Sequence, residues 1–194
     1  MGTRGSYGFR KNGVDKLTYN HWDSYPDYLG EKVVRFCKNH SIEELNKLYD
    51  KIIMVKENDT PTEEQMKYCI ENGWADFSVS SQSKEDWYCL LRNLQGNLEE
   101  LSKAKTQAYM TDGNNFIKDS LWCEYAYIIN LDDEVLEFYE GFQKKPQLGN
   151  RYGTTIKDGY DGYYPCKLSL TFPLNEIDDI ENIINMMNGE DNKN

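Results

Sequence analysis

Three side chains suited to proton chemistry fall within four positions of one another: His21, Asp23 and Ser24, with His40 the only other histidine in the chain. A serine, histidine and carboxylate suggest a nucleophile, base and orienter, but such triads draw on distant segments. On an extended strand His21 and Asp23 share a face while Ser24 points the opposite way. The narrower expectation is that Asp23 orients His21, making it a general base or a pH-sensitive hydrogen-bonding group. The simpler reading is a surface histidine beside a carboxylate. No catalytic residue is therefore assigned, and His21 with Asp23 stands as the alternative.

The five cysteines, Cys37, Cys69, Cys89, Cys123 and Cys166, are odd in number and form no CxxC pair. The first three fall in amphipathic helical stretches and the last two in strand-like ones, so all read as small buried hydrophobes. The pattern fits a reducing compartment, and a cytoplasmic location is expected. Two histidines with no cysteine nearby make no zinc pattern. Asp132-Asp133-Glu134 lacks the glycine and ligand alternation of a calcium loop. Neither a phosphate-binding loop nor a dinucleotide fingerprint is present, so no metal or cofactor is expected.

Recognition chemistry is more visible. The segment 144–164 mixes tyrosine, glycine, asparagine and threonine with Arg151 and Lys157, the composition of an adaptable binding loop. With Arg4 and Arg10 its cations would form a small anion-recognising pocket beside aromatic faces. The expected ligand-binding set is Arg4, His21, Asp23, Tyr25, Arg151, Tyr152 and Lys157.

The formal net charge of −11, from 33 acidic and 22 basic residues, argues against nucleic-acid binding and against docking on anionic membranes. No apolar run is long enough for a transmembrane helix. The expected partner is an unknown small molecule or a host protein.

Other segments must position these residues. Asn12-Gly13 predicts a hairpin over 6–20. A helix is expected from about Leu29 to Asn39. The capping box Ser41–Glu44 starts a second helix carrying Leu45, Leu48, Ile52 and Ile53, and Thr62 with Gln65 starts a third, closed by Gly73. Ser83 is expected to cap a helix that Gly96 breaks. From Leu121 the period becomes two: 121–130 and 135–142 flank Leu131–Glu134 as a second hairpin. Cys166, Leu168, Leu170 and Phe172 then alternate along a late strand. A final helix runs from about Asp178 to Met187. The expected architecture is α+β, a mostly antiparallel sheet from two hairpins and a late strand, covered by the central helices. It is read as a single domain over 1–188 with a disordered acidic tail at 189–194.

Met1-Gly2-Thr3-Arg4-Gly5, followed by Tyr19-Asn20-His21-Trp22-Asp23-Ser24-Tyr25-Pro26 and Leu29-Gly30, resembles a family of uncharacterised proteins encoded by bacterial viruses, prophages and other microbial genomes. The likeness extends to Trp122-Cys123-Glu124-Tyr125-Ala126-Tyr127 and Tyr164-Pro165-Cys166-Lys167-Leu168. It implies a viral or mobile-element accessory role, including interference with host defence. The start, hairpin and downstream Asn and Asp also resemble the layout of N-terminal-nucleophile hydrolases. Those enzymes need Cys, Ser or Thr as the first mature residue. Here loss of Met1 exposes Gly2, and Thr3 would need a further cleavage. The leading expectation is a non-catalytic binding protein recognising a small anionic ligand or a host factor. The alternatives are a small hydrolase or transferase using the His21–Asp23 pair, and an acidic protein that mimics another surface.

Overall fold

The computed structural model describes residues 2–78, 85–154 and 160–190. Asn12 and Gly13 take φ of 52° and 73°, the left-handed pair that a tight hairpin demands. They join β1 (Gly5–Lys11) to β2 (Val14–Asn20) in antiparallel register, Gly5 opposite Asn20. The second hairpin pairs β5 (Tyr125–Asn130) with β6 (Val135–Glu140), and β7 (Lys167–Pro173) adds to β6. β1 lies parallel to β5, Gly5 opposite Tyr125, which unites the two hairpins in one sheet of order β2-β1-β5-β6-β7. One parallel and three antiparallel pairings make the sheet mostly antiparallel, within the α+β architecture expected.

Helices occupy one face. A π-type turn (Pro26–Gly30) leads into α1 (Glu31–Asn39). Both expected capping boxes form, Ser41 with Glu44 at the start of α2 (Ile42–Lys51) and Thr62 with Gln65 at the start of α3 (Glu63–Glu71). The short α4 (Trp87–Leu90) and α5 (Leu98–Ser102) follow, and α6 (Ile180–Met187) closes the layer. Tyr7, Phe9, Tyr127, Ile129, Leu136 and Phe138 point from the sheet into this helical core. The opposite face carries a smaller core of Leu17, Ala126, Ile128 and Tyr139, covered by Ile117, Tyr152 and Cys166. Both faces of β5 are thus buried, as its unbroken apolar run requires.

Four expectations are corrected. The second helix stops at Lys51, and Ile52–Val55 forms β3, parallel to β4 (Ala108–Thr111) in a separate two-stranded sheet. The β-branched run Ile-Ile-Met-Val prefers that extended form, although its first isoleucine also continues the helical stripe. The late strand does not keep Cys166, Leu168, Leu170 and Phe172 on one face. Its register shifts between Tyr139 opposite Leu168 and Phe138 opposite Leu170. The extra residue, Ser169, sends Leu168 to the smaller core and Leu170 to the larger. The cap of α4 is Asp86, which accepts from the Tyr88 amide, while Ser83 lies outside the described residues. Finally, Gly189 and Glu190, expected in the tail, follow α6 and bond back to its last turn. Their amides reach Met186 O and Asn185 O in a C-terminal cap with Gly189 at φ 71°. Residues 191–194 of the expected tail lie outside the described ones.

All five cysteines are buried free thiols. Burial pushes the Cys69 thiol up to about 12 and Cys37 higher still, so both stay protonated. Cys123 and Cys166 sit just before β5 and β7 instead of within them. Among the described residues no helix is long and apolar enough to cross a membrane.

Candidate functional site

The first residues are threaded between two segments that come from far apart in the chain. Thr3 O accepts from the Ser24 amide at 3.1 Å, and Arg4 O from the Glu124 amide at 3.0 Å. The Arg4 amide itself reaches Glu124 Oε1 at 3.3 Å. With its backbone fixed on both sides, Arg4 lays its guanidinium 4.6 Å from the centre of the Trp122 ring. Trp122 is 41% exposed, so the pair stands at the surface.

The neighbouring wall is a loop pressed onto β2. Gly113 donates to Leu17 O at 2.8 Å, and a Cβ at this position would lie 2.8 Å from the Tyr19 amide nitrogen. Only glycine lets the loop approach so closely. Beyond it, Phe116 meets Tyr19 edge-on with centroids 4.8 Å apart. The result is a groove of about 650 Å³ bounded by Arg4, Tyr19, Asp112, Asn115, Phe116 and Trp122. That volume lies within the range of small-molecule sites.

Tyr19 also borders a second, narrow cavity of about 40 Å³ that descends past Tyr88 and Arg92 to Tyr7. Arg92 sits on the turn after α4, 5.4 Å from the Tyr88 ring centre, and donates to Gln95 Oε1 at 2.6 Å. The Tyr19 hydroxyl meets His21 Nδ1 at 2.5 Å. His21 has a pKa below the ordinary histidine value, through partial burial first and then the positive charges of Arg4 and Arg92. Two arginines from opposite ends of the first half of the chain therefore act on one imidazole.

Their lack of acidic partners sets them apart. The chain holds five arginines. Arg10, Arg35 and Arg151 form ion pairs with Asp15, Glu31 and Glu137. Among the described residues no carboxylate lies within ion-pairing distance of Arg4 or Arg92, in a chain whose carboxylates outnumber its cations. What touches these two charges is aromatic rings, a tyrosine hydroxyl and the Gln95 side chain, while Asp112 and Asp119 share the groove with Arg4 and Asp76 lies near enough to Arg92 to feel its charge.

The expected site residues divide. Arg4 and His21 come together. Asp23 does not join His21: it is exposed, takes φ 52°, and uses its carbonyl to accept from the Leu29 amide. Ser24 is fully buried and structural, its Oγ accepting from Asn20 Nδ2 at 2.8 Å and its carbonyl from the Tyr127 hydroxyl at 2.9 Å. Tyr25 is 41% exposed and begins the π-type turn, its carbonyl taking the Tyr28 and Gly30 amides.

Arg151 and Tyr152 belong to the smaller core, on the face of β2 that carries Asp15, Leu17 and Tyr19. Arg151 clasps Glu137 with two hydrogen bonds of 2.7 and 2.6 Å, and Tyr152 donates to Asp15 Oδ2 at 2.7 Å. Asp15 is shared with Arg10 at 2.8 Å. Burial works against the Arg151 charge, but the Glu137 hydrogen bonds outweigh it and raise its pKa. Neither residue has a hydrogen bond or ion pair to Arg4 or His21, so in place of the joint pocket expected from sequence there is a groove at Arg4 and a separate clasp at Arg151. Lys157 lies outside the described residues.

Tyr19 and Trp122 stand in the motif segments and carry no further signal of their own. Phe116, Asn115, Asp112 and Arg92 carry no spacing signal. Among the described residues no group of three or more His, Cys, Asp or Glu side chains is placed to hold a metal ion. No family model, curated protein or solved structure matches this chain.

Proposed function

We propose that this protein is a non-catalytic binder that captures a small anionic ligand in the groove between Arg4 and Trp122. The observation that supports it most is the pair of arginines without carboxylate partners, stacked on aromatic rings and converging on His21. Charge-assisted hydrogen bonds to an oxyanion are the strongest such cations make, and guanidinium held on a ring has already lost much of its conformational freedom. A nearly neutral imidazole between them adds a donor or acceptor without adding repulsion. The His21–Tyr19 hydrogen bond leaves no Asp23-oriented base, so the groove favours holding a ligand over transforming it. A viral or mobile-element origin, suggested by the opening motif, would make that ligand a host-cell metabolite or signal and its sequestration a counter-defence role.

The test is native mass spectrometry of gently purified protein, beside the same sample denatured. A releasable small anion that is retained by the unaltered protein and lost from Arg4→Ala and Arg92→Ala supports the reading. Retention by both variants, with folding intact, overturns it.

A further inference from the structure

Resting on that reading, we infer that the ligand of the Arg4–Trp122 groove is a free nucleotide, its base against Phe116 and Trp122 and its phosphate on Arg4. The two cavities at Tyr19 differ too much in size to share this task. The inner one, at about 40 Å³, takes little more than a water molecule or a group of one or two heavy atoms. The outer one, at about 650 Å³, admits a ring system. The planar part of the ligand therefore lies outside Tyr19, against Phe116 and the Arg4–Trp122 pair.

The walls of the groove then choose the kind of ring. Two carboxylates and an amide, Asp112, Asp119 and Asn115, share the groove with Arg4, and Asp112 and Asn115 are exposed. Asp112 spends Oδ1 on the Asn114 amide at 3.1 Å, and no hydrogen bond engages Oδ2 among the described residues. A simple aryl phosphate or aryl carboxylate brings only acceptors and would meet this carboxylate with repulsion. A nucleobase brings N–H donors on the edge of a flat π-system, so one face stacks while the edge donates to Asp112 and Asn115. Its phosphate meets Arg4, the arginine that lines this groove, while Arg92 lines the inner cavity. The groove thus pairs acceptors with a donor-bearing ring and a cation with an anion.

A polymer fits less well than a free nucleotide. Along a strand each further phosphate would run over a surface that carries net negative charge, whereas a single nucleotide needs only the local field of Arg4 and Arg92.

The experiment is isothermal titration of the folded protein with the four common ribonucleoside monophosphates, their nucleosides, inorganic phosphate and phenyl phosphate. At least one monophosphate is expected to bind ten or more times more tightly than its nucleoside and than either phosphate control. Phe116→Ala and Arg4→Ala, each checked for an unchanged far-ultraviolet dichroism spectrum and a cooperative melt, should each weaken it about tenfold or more. Asp112→Asn should change the preference among bases and, by removing the repulsion, strengthen any binding of phenyl phosphate. Phenyl phosphate binding lost in Arg4→Ala, with no added affinity from any base, overturns the nucleotide assignment and leaves the anion reading standing. No binding of any probe overturns the nucleotide assignment, and the mass-spectrometric test then decides the anion reading separately.

Discussion

Replacing Arg151 by methionine tests whether the clasp on the second face of the sheet holds the fold. Glu137 is only 4% exposed, and its carboxylate takes both Arg151 hydrogen bonds, one from Asn130 Nδ2 at 2.8 Å and one from the Tyr139 hydroxyl at 3.0 Å. Methionine keeps most of the stem but removes the charge, leaving Glu137 ionised and buried with two neutral donors. Removing one partner of a buried pair costs roughly 3–5 kcal/mol. The Arg151 side chain is 22% exposed, so water softens the loss and the low end applies, about 3 kcal/mol. For a chain of 194 residues this lowers Tm by roughly 6–12 °C. Glu137→Gln removes the orphaned charge while keeping an acceptor for Asn130, so the double variant should be less destabilised than the two losses summed, by about 2 kcal/mol. Urea titrations followed by circular dichroism measure all four members of the cycle. If Arg151→Met costs under about 1 kcal/mol, or the two changes add within about 0.5 kcal/mol, the clasp does not hold the sheet as argued.

Tyr7 is buried beneath the narrow cavity, accepting from the Gly96 amide at 2.7 Å and donating to Leu94 O at 3.2 Å. Tyr7→Phe orphans both and should cost about 1–3 kcal/mol, read as a lower urea midpoint with an unchanged slope; an unaltered midpoint refutes the role. His21, with its folded pKa below 6.5, favours the neutral ring, so on acidification the unfolded chain takes the proton first. Its contribution to stability is present above pH 6.5 and lost as pH falls towards the folded value, and His21→Gln should flatten that part of a Tm–pH profile. An identical slope in the variant would show that other groups carry it. Ser41→Ala breaks the capping box of α2 and should cost about 1 kcal/mol in the same denaturation assay; no loss would mean tertiary packing alone fixes that helix end.

Local chemistry made much of the fold readable. Asn12-Gly13 sets a hairpin through its own backbone preference, and Ser41–Glu44 and Thr62–Gln65 satisfy helix amides within four residues. Features that depend on a distant partner were not readable. Ile52 fits a helical stripe and a strand equally, and only pairing with Ala108 decides between them. The alternation from Cys166 to Phe172 is regular as written, and the shift at Ser169 arises because β7 must cross between two cores. For the site, Arg4 and His21 drew notice by residue type. Arg151 drew the same notice and turned out to be neutralised by Glu137, a pairing 14 positions away that no pattern announces. Arg92 forms no ion pair among the described residues, and a missing partner leaves no mark in a sequence.

The parallel seam between β1 and β5 also sets a timetable for synthesis. Gly5 pairs with Tyr125, so the first strand to leave the ribosome waits for a partner made 120 residues later. At roughly 5–20 residues per second that is on the order of 6–24 s, during which β1 has only the β2 hairpin for company and one edge bare. Arg4 shares the delay, since its carbonyl is fixed by Glu124. The groove therefore cannot form on a nascent chain until Trp122 and Glu124 have been made, and a chain halted before them would bear the arginine without the site.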